Sequence, residues 1–185
     1  PGEKIRISGG GRCNFTNMYC CPEAFLSENP HFAKSALAKF SQWDFIDLID
    51  RHAISWHEKT IGQLFCNISA KDIINMLRKL MQKAEVELRL QTSVSEIIKN
   101  SSGFIVTIQN DGKMTKIQAQ NVVIATGGKS IPKMGATGYA YEVARTFGHR
   151  VTETKPALVP LTFADARFAK ISGVSCLTQI TVNNT

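Results

Sequence analysis

The residues best suited to chemistry lie in two glycine-rich turns. The first is Ser8-Gly9-Gly10-Gly11-Arg12-Cys13-Asn14, followed by Phe15-Thr16. Three consecutive glycines allow positive φ and carry no Cβ, so a flat or anionic ligand can approach the backbone. Successive N–H groups in such a loop can form an anion-binding concavity. Arg12 adds a fixed positive charge whose planar fork suits phosphate. Asn14 and Thr16 add neutral hydrogen-bonding groups. Ser8, Gly9, Gly10, Gly11, Arg12, Cys13, Asn14 and Thr16 are therefore expected to line a cofactor site. The turn is not a P-loop, because Gly-Lys-Ser/Thr is absent, and no strand precedes it as a G-x-G-x-x-G fingerprint requires.

The second turn ends the run Val122-Val123-Ile124-Ala125-Thr126-Gly127-Gly128. A short, wholly apolar run bounded by glycines reads as a strand buried on both faces. Ligands of open α/β sheets bind at the carboxyl ends of such strands. Thr126, Gly127 and Gly128 join the expected cofactor site on that ground. No catalytic residue is identified.

Other reactive side chains carry less. Cys13 reads as a redox thiol or a packing residue, and packing is preferred because free cysteine is so often buried. His149 follows a glycine that closes a helix, where a structural role suffices. His57 is a second candidate proton donor. Trp43 and Trp56 are expected in the core. Five cysteines without a C-x-x-C pair argue against a zinc site and against a disulfide framework, and point to a reducing, cytoplasmic setting.

These turns need elements to hold them. Residues 1–20 read as loop. Asn29-Pro30 reads as a helix start, with Phe32, Ala36, Leu37 and Phe40 at helical spacing. Ser41 with Asp44 resembles a capping box for a second helix. Ser69 with Asp72 repeats the device and opens an amphipathic helix carrying Ile73, Ile74, Leu77, Leu80 and Met81. The period then changes to two over Val86–Gln91, Val94–Ile98 and Phe104–Ile108, and Asn110-Asp111-Gly112-Lys113 is a hairpin turn. Thr137–Phe147 reads as a helix closed by Gly148. From Lys155-Pro156 onward Pro and β-branched residues dominate, which places a domain boundary between 1–154 and 155–185.

The chain of 185 residues is 43% hydrophobic and 20% charged, an ordinary globular composition. It has no apolar stretch long enough to span a membrane, and its first residues, without an apolar run, are not expected to be a signal peptide. Net charge is +7, which raises a nucleic-acid partner. Lys and Arg are scattered, and no basic run reaches five residues. No nucleic-acid partner is therefore expected, and the partner is expected to be a small-molecule substrate.

A resemblance rests on these residues. Ser8-Gly9-Gly10-Gly11-Arg12-Cys13-Asn14-Phe15-Thr16-Asn17 resembles the signature of the bacterial BaiN/YhiN-type NAD(P)/FAD-dependent oxidoreductase family. Ala125-Thr126-Gly127-Gly128, Ser130-Ile131-Pro132, Gly135-Ala136-Thr137-Gly138, Gly148-His149 and Pro156-Ala157-Leu158-Val159-Pro160-Leu161 follow in the family's order. The resemblance implies an α/β fold: an incomplete Rossmann-like FAD/NAD(P)-binding domain with a β-meander, then the start of a β-rich substrate domain. It implies FAD as cofactor, NAD(P)H as electron donor and hydride transfer to an organic acceptor. The family's initial βαβ unit would precede Pro1, so the chain is expected to be an internal piece that is inactive alone. The alternative reading is a non-catalytic binding or assembly module that keeps the scaffold without the flavin. Four positions depart from the family. Gln63 and Cys66 stand where Arg and Pro are usual in Gly-Arg-x-Phe-Pro, Ile131 replaces an aromatic residue, and Ala140 replaces Gly.

Overall fold

The computed structural model describes residues 1–131, 135–156, 163–165, 167–172, 174, 177–179 and 181. Pro132 and the stretch 157–161, both part of the family resemblance, lie outside the described residues, as does Cys176. The chain divides into two compact units, Pro1–Val151 and Thr152–Thr185. In the second, the described residues form a short 3-10 turn at Ala169–Ile171. Much of the expected β-rich segment lies outside the described residues.

In the first unit, helix α1 (Glu3–Ile7) leads into a 3-10 turn (Ser8–Gly11) and strand β1 (Asn14–Asn17). The opening twenty residues are thus more regular than a loop. Helix α2 (Lys34–Lys39) starts later than Asn29-Pro30 suggests. Asn29 instead accepts from the His31 N–H at 3.0 Å, a local turn that competes with helix formation.

Helix α3 (Gln42–Arg51) carries the expected capping box: Ser41 accepts from the Asp44 N–H, and Asp44 accepts from the Ser41 N–H at 2.7 Å. Strands β2 (Trp56–Glu58) and β3 (Gln63–Cys66) form a hairpin, and β1 pairs with the other edge of β3, all antiparallel. Flanked on both sides, β3 buries Leu64, Phe65 and Cys66.

Helix α4 (Ala70–Lys83) packs over this sheet. Ser69 caps it by accepting from the Lys71 N–H at 3.2 Å. Cys13, Ile49, Cys66, Ala70, Ile73 and Met76 form the core, with Phe15, Phe45, Trp56, Leu77 and Leu80 packed against it. Met76 is a core member outside the expected stripe of Ile73, Ile74, Leu77, Leu80 and Met81.

The meander is as expected: β4 (Thr92–Asn100), β5 (Gly103–Asn110) and β6 (Lys113–Ala119) pair in order, antiparallel. Asp111 and Gly112 both take positive φ, 46° and 75°, as a two-residue I′ turn requires. Val86–Gln91, expected as a strand, belongs to no strand, and Gln91 takes a left-handed φ of 51°. Helix α5 (Tyr139–Thr146) ends as predicted. Gly148 takes φ 80°, its N–H donates to Arg145 O, and the His149 N–H donates to Ala144 O. That is the full Schellman pattern.

The α/β reading with a β-meander is borne out. The buried strand at Val122–Ala125 is not. Among the described residues this run pairs with no strand, and Val123 is 86% exposed. A wholly apolar strand needs neighbours on both edges; β3 has them and Val122–Ala125 does not.

Candidate functional site

The first glycine turn is a run of left-handed backbone. Gly9, Gly10 and Gly11 take φ of 56°, 66° and 85°, and Cys13 takes 53°. The Cys13 N–H donates to Ser8 O at 3.0 Å, and the Cys66 N–H donates to Arg12 O at 2.9 Å. The turn is thereby closed on itself and fixed to central strand β3. Ser8 Oγ donates back to Ile5 O at 2.8 Å and ties the turn to α1.

The three glycines do different work. A Cβ on Gly9 would lie 2.6 Å from Phe65 Cε1 and 2.7 Å from Asn14 N. Gly9 is therefore required by packing. A Cβ on Gly10 would meet nothing within 4 Å, and one on Gly11 would meet only Arg6 O, at 3.9 Å. The space beside Gly10 and Gly11 is open. Arg12 and Asn14 are exposed, Thr16 is half-buried, and none of their side chains has a hydrogen-bond or ion-pair partner among the described residues. A left-handed backbone without side chains, a free guanidinium and two free polar groups can receive a flat or anionic ligand.

Cys13 does not belong to that surface. It is 5% exposed, in the core beside Cys66. At Cys13, the residue before β1, the packing reading fits the burial and the expected cofactor contact does not. Burial, with Cys13 and Asp72 nearby, pushes the Cys66 thiol up to about 11.

Sequence reasoning missed what supports the turn. The Phe65 ring lies under Gly9 and stacks on His57, centroids 6.1 Å apart, with Lys59 Nζ 5.5 Å from its centre. His57 Nδ1 is 2.7 Å from Asn67 Oδ1, so it serves structure here. Asn17 Nδ2 donates to Ile61 O and Asn17 Oδ1 accepts from the Tyr19 N–H, both at 2.8 Å. Gly62, at φ 75°, leaves room for Tyr19 and Asn17. The Gly-x-x-Phe spacing of Gly62 and Phe65 was the available signal.

The second turn is exposed at Thr126 and Gly127. Gly127 takes φ 70° with open space over it, and a Cβ on Gly128 would lie 2.5 Å from Tyr141 Oη of α5. Among the described residues no hydrogen bond or ion pair joins this turn to Ser8–Thr16. The structure gathers Ser8, Gly9, Gly10, Gly11, Arg12, Asn14 and Thr16 into one place and leaves Thr126–Gly128 in a separate turn.

Among the described residues no group of His, Cys, Asp and Glu could hold a metal ion, and no helix is long and apolar enough to cross a membrane.

Comparison with known proteins adds what geometry cannot. The HI0933-like protein Rossmann domain family matches residues 1–181. The chain is 47% identical over 187 residues to the ribosomal RNA dihydrouridine synthase of Escherichia coli, covering 100% of this chain and 46% of that protein. It is 41% identical over 190 residues to the protein of the same name from Haemophilus influenzae, covering 97% and 45%. It is 29% identical over 175 residues to the 3-dehydro-bile acid delta(4,6)-reductase of Clostridium scindens, covering 94% and 41%. The chain thus spans under half the length of these relatives. Two relatives named for ribosomal RNA overturn the expectation of no nucleic-acid partner. That expectation failed because it looked for basic runs along the chain, and a fold can gather cations that the sequence separates.

Proposed function

The chain belongs to the HI0933-like Rossmann family of flavoprotein oxidoreductases, and on that premise we propose that it is the part of an RNA-modifying reductase that cradles FAD. The observation that carries this reading is the Gly10-Gly11-Arg12 turn, open above two glycines and with an unpaired guanidinium beside them. That cradle fits an anionic, planar cofactor. Gly10 and Gly11 would let it approach the backbone, Arg12 would neutralise phosphate, and Asn14 and Thr16 would orient it by hydrogen bonds. FAD kept reduced by NAD(P)H supplies a hydride when bound.

The relatives' names support a reading of the acceptor. A dihydrouridine synthase saturates the uracil C5–C6 double bond, which is conjugated to a carbonyl. A delta(4,6)-reductase saturates double bonds in an organic acid. Both reactions add one hydride and one proton across a carbon–carbon double bond. Uridine in ribosomal RNA is favoured here because the two RNA-named relatives stand at 47% and 41% identity, against 29%.

The test uses the full-length protein, purified with its flavin, incubated without oxygen with NADPH and deproteinised ribosomal RNA. Nucleoside mass spectrometry should detect dihydrouridine formed in proportion to NADPH consumed. Turnover of an unsaturated 3-oxo bile acid with no dihydrouridine formed would reject the RNA acceptor while keeping the flavin. A colourless protein with neither activity would support the non-catalytic alternative.

A further inference from the structure

Two amphipathic helices of the first unit, α3 and α4, share a core and carry opposite charge. The polar side of α3 bears Asp44, Asp47 and Asp50 against one cation, Arg51. That of α4 bears Lys71, Arg78, Lys79 and Lys83 against one carboxylate, Asp72. All four α4 cations are exposed. Elsewhere in this unit Arg6, Arg51, Arg89 and Arg150 sit beside Glu3, Asp47, Glu87 and Glu28, while Arg12, Arg145 and the scattered lysines have no ion-pair partner among the described residues; what sets α4 apart is that four such cations lie on one helix. None of the four α4 cations has an ion-pair partner among the described residues.

Their spacing is helical. At 100° per residue, Lys71, Asn75, Arg78 and Gln82 fall within an arc of about 60°, with Lys79 and Lys83 along one side. The stripe runs about 18 Å, from Lys71 to Lys83 at 1.5 Å per residue. Beside it lies an open groove of about 540 Å³, whose lining combines Asn75, Arg78, Lys79 and Gln82 with the apolar Met81, Val86 and Leu88. The cations could follow a chain of phosphates, the amides Asn75 and Gln82 could bond base edges, and the apolar lining residues could receive a base face.

We infer that the exposed face of α4 is an RNA-binding surface that holds the ribose-phosphate backbone of the substrate. The inference rests on the reading of the acceptor as ribosomal RNA. RNA is favoured over an acidic protein because four unpaired cations strung along about 18 Å of helix match an extended polymer with one charge per unit.

The test measures binding of deproteinised ribosomal RNA to the full-length protein by filter retention between low and moderate salt. In the variant K71Q/R78Q/K79Q/K83Q, affinity should fall at least about tenfold, and the slope of log K against log salt should flatten by about 0.7 for each phosphate no longer neutralised. The variant K71R/K79R/K83R, which keeps the charge, should bind as the wild type does. K113Q/K116Q, two cations removed from the meander, should also leave binding unchanged. An unaltered slope in the α4 variant, or equal weakening in the meander variant, overturns the proposed surface while leaving RNA as the acceptor. Wild-type protein that binds no RNA at any salt overturns both readings. Retention on phosphatidylserine vesicles but not on RNA would assign the face to a membrane surface instead and overturn the proposal. A circular dichroism melt matching wild type shows that the α4 variant is folded.

Discussion

Gly9 and Phe65 lie so close that a single added carbon on Gly9 would sit 2.6 Å from the Phe65 ring. Backbone of the glycine turn and side chain of the central strand are in direct contact. Gly10, next in sequence, faces open space. Gly9→Ala is therefore expected to destabilise by overpacking, about 1–3 kcal/mol, together with about 1–2 kcal/mol for a left-handed alanine. Gly10→Ala should carry only the second cost and keep the fold, yet obstruct the ligand face. Urea midpoints and retained flavin separate the two. Equal destabilisation by both would show that the Phe65 contact is unimportant.

Arg12 is exposed and partnerless among the described residues. Arg12→Ala should leave stability within about 0.5 kcal/mol of wild type. Flavin affinity should fall roughly 10- to 100-fold, the loss of one charge-assisted hydrogen bond worth about 1.5–3 kcal/mol. Arg12→Lys should restore part of it, since charge is kept but the planar fork is lost. Fluorescence titration with FAD checks this, and wild-type affinity in the alanine variant would remove Arg12 from the site.

Cys66 makes stability depend on alkaline pH. Burial raises its thiol from 9.0 to about 11. The folded state therefore holds this proton more tightly than the unfolded state does. The contribution is fully present below pH 9 and is lost as pH rises through 11, on the order of 2–3 kcal/mol in all. Unfolding free energies between pH 8 and pH 11 should decline, and Cys66→Ala should decline less steeply. Parallel curves would mean that another group is responsible.

The α3 capping box predicts an acid-side effect. Hydrogen bonds from the Ser41 hydroxyl and N–H hold the Asp44 carboxyl below its usual range. Its contribution is present above the unfolded value of 3.8 and is lost as pH falls through the lower folded value. Ser41→Ala should cost about 0.5–2 kcal/mol at neutral pH. It should also weaken the acid dependence. Thermal melts at pH 7 and pH 3 test both; an unchanged acid dependence would point away from the box.

Local chemistry in the sequence translated well into structure. The Asp111-Gly112 turn, the Ser41–Asp44 box and the Gly148 helix end all depend on residues within a few positions of one another, and each formed as expected; Ser69 caps its helix through the Lys71 N–H, without the expected box to Asp72. What depended on distant neighbours was less legible. Val122–Ala125 has the composition of a buried strand, but burial needs flanking strands that composition cannot supply. Leu64–Cys66 is buried because β1 and β2 flank it. Asn29 reads as a helix cap until its side chain turns to the His31 N–H. In the site, glycine content pointed to an open turn, but only packing separates Gly9, which supports it, from Gly10 and Gly11, which expose it. The α4 cations form no visible run because a basic patch on a helix is spread over thirteen residues of sequence.

The opposite charges of α3 and α4 have a consequence for encounter as well as contact. Charge segregated within one molecule creates an electric moment in addition to the net +7. In the field of a polyanion that moment experiences a torque, so the protein is turned while still separated from its target. Added salt shortens the range over which this alignment acts, to about 8 Å at physiological ionic strength. Productive collisions should therefore become rarer with salt faster than net charge alone would dictate.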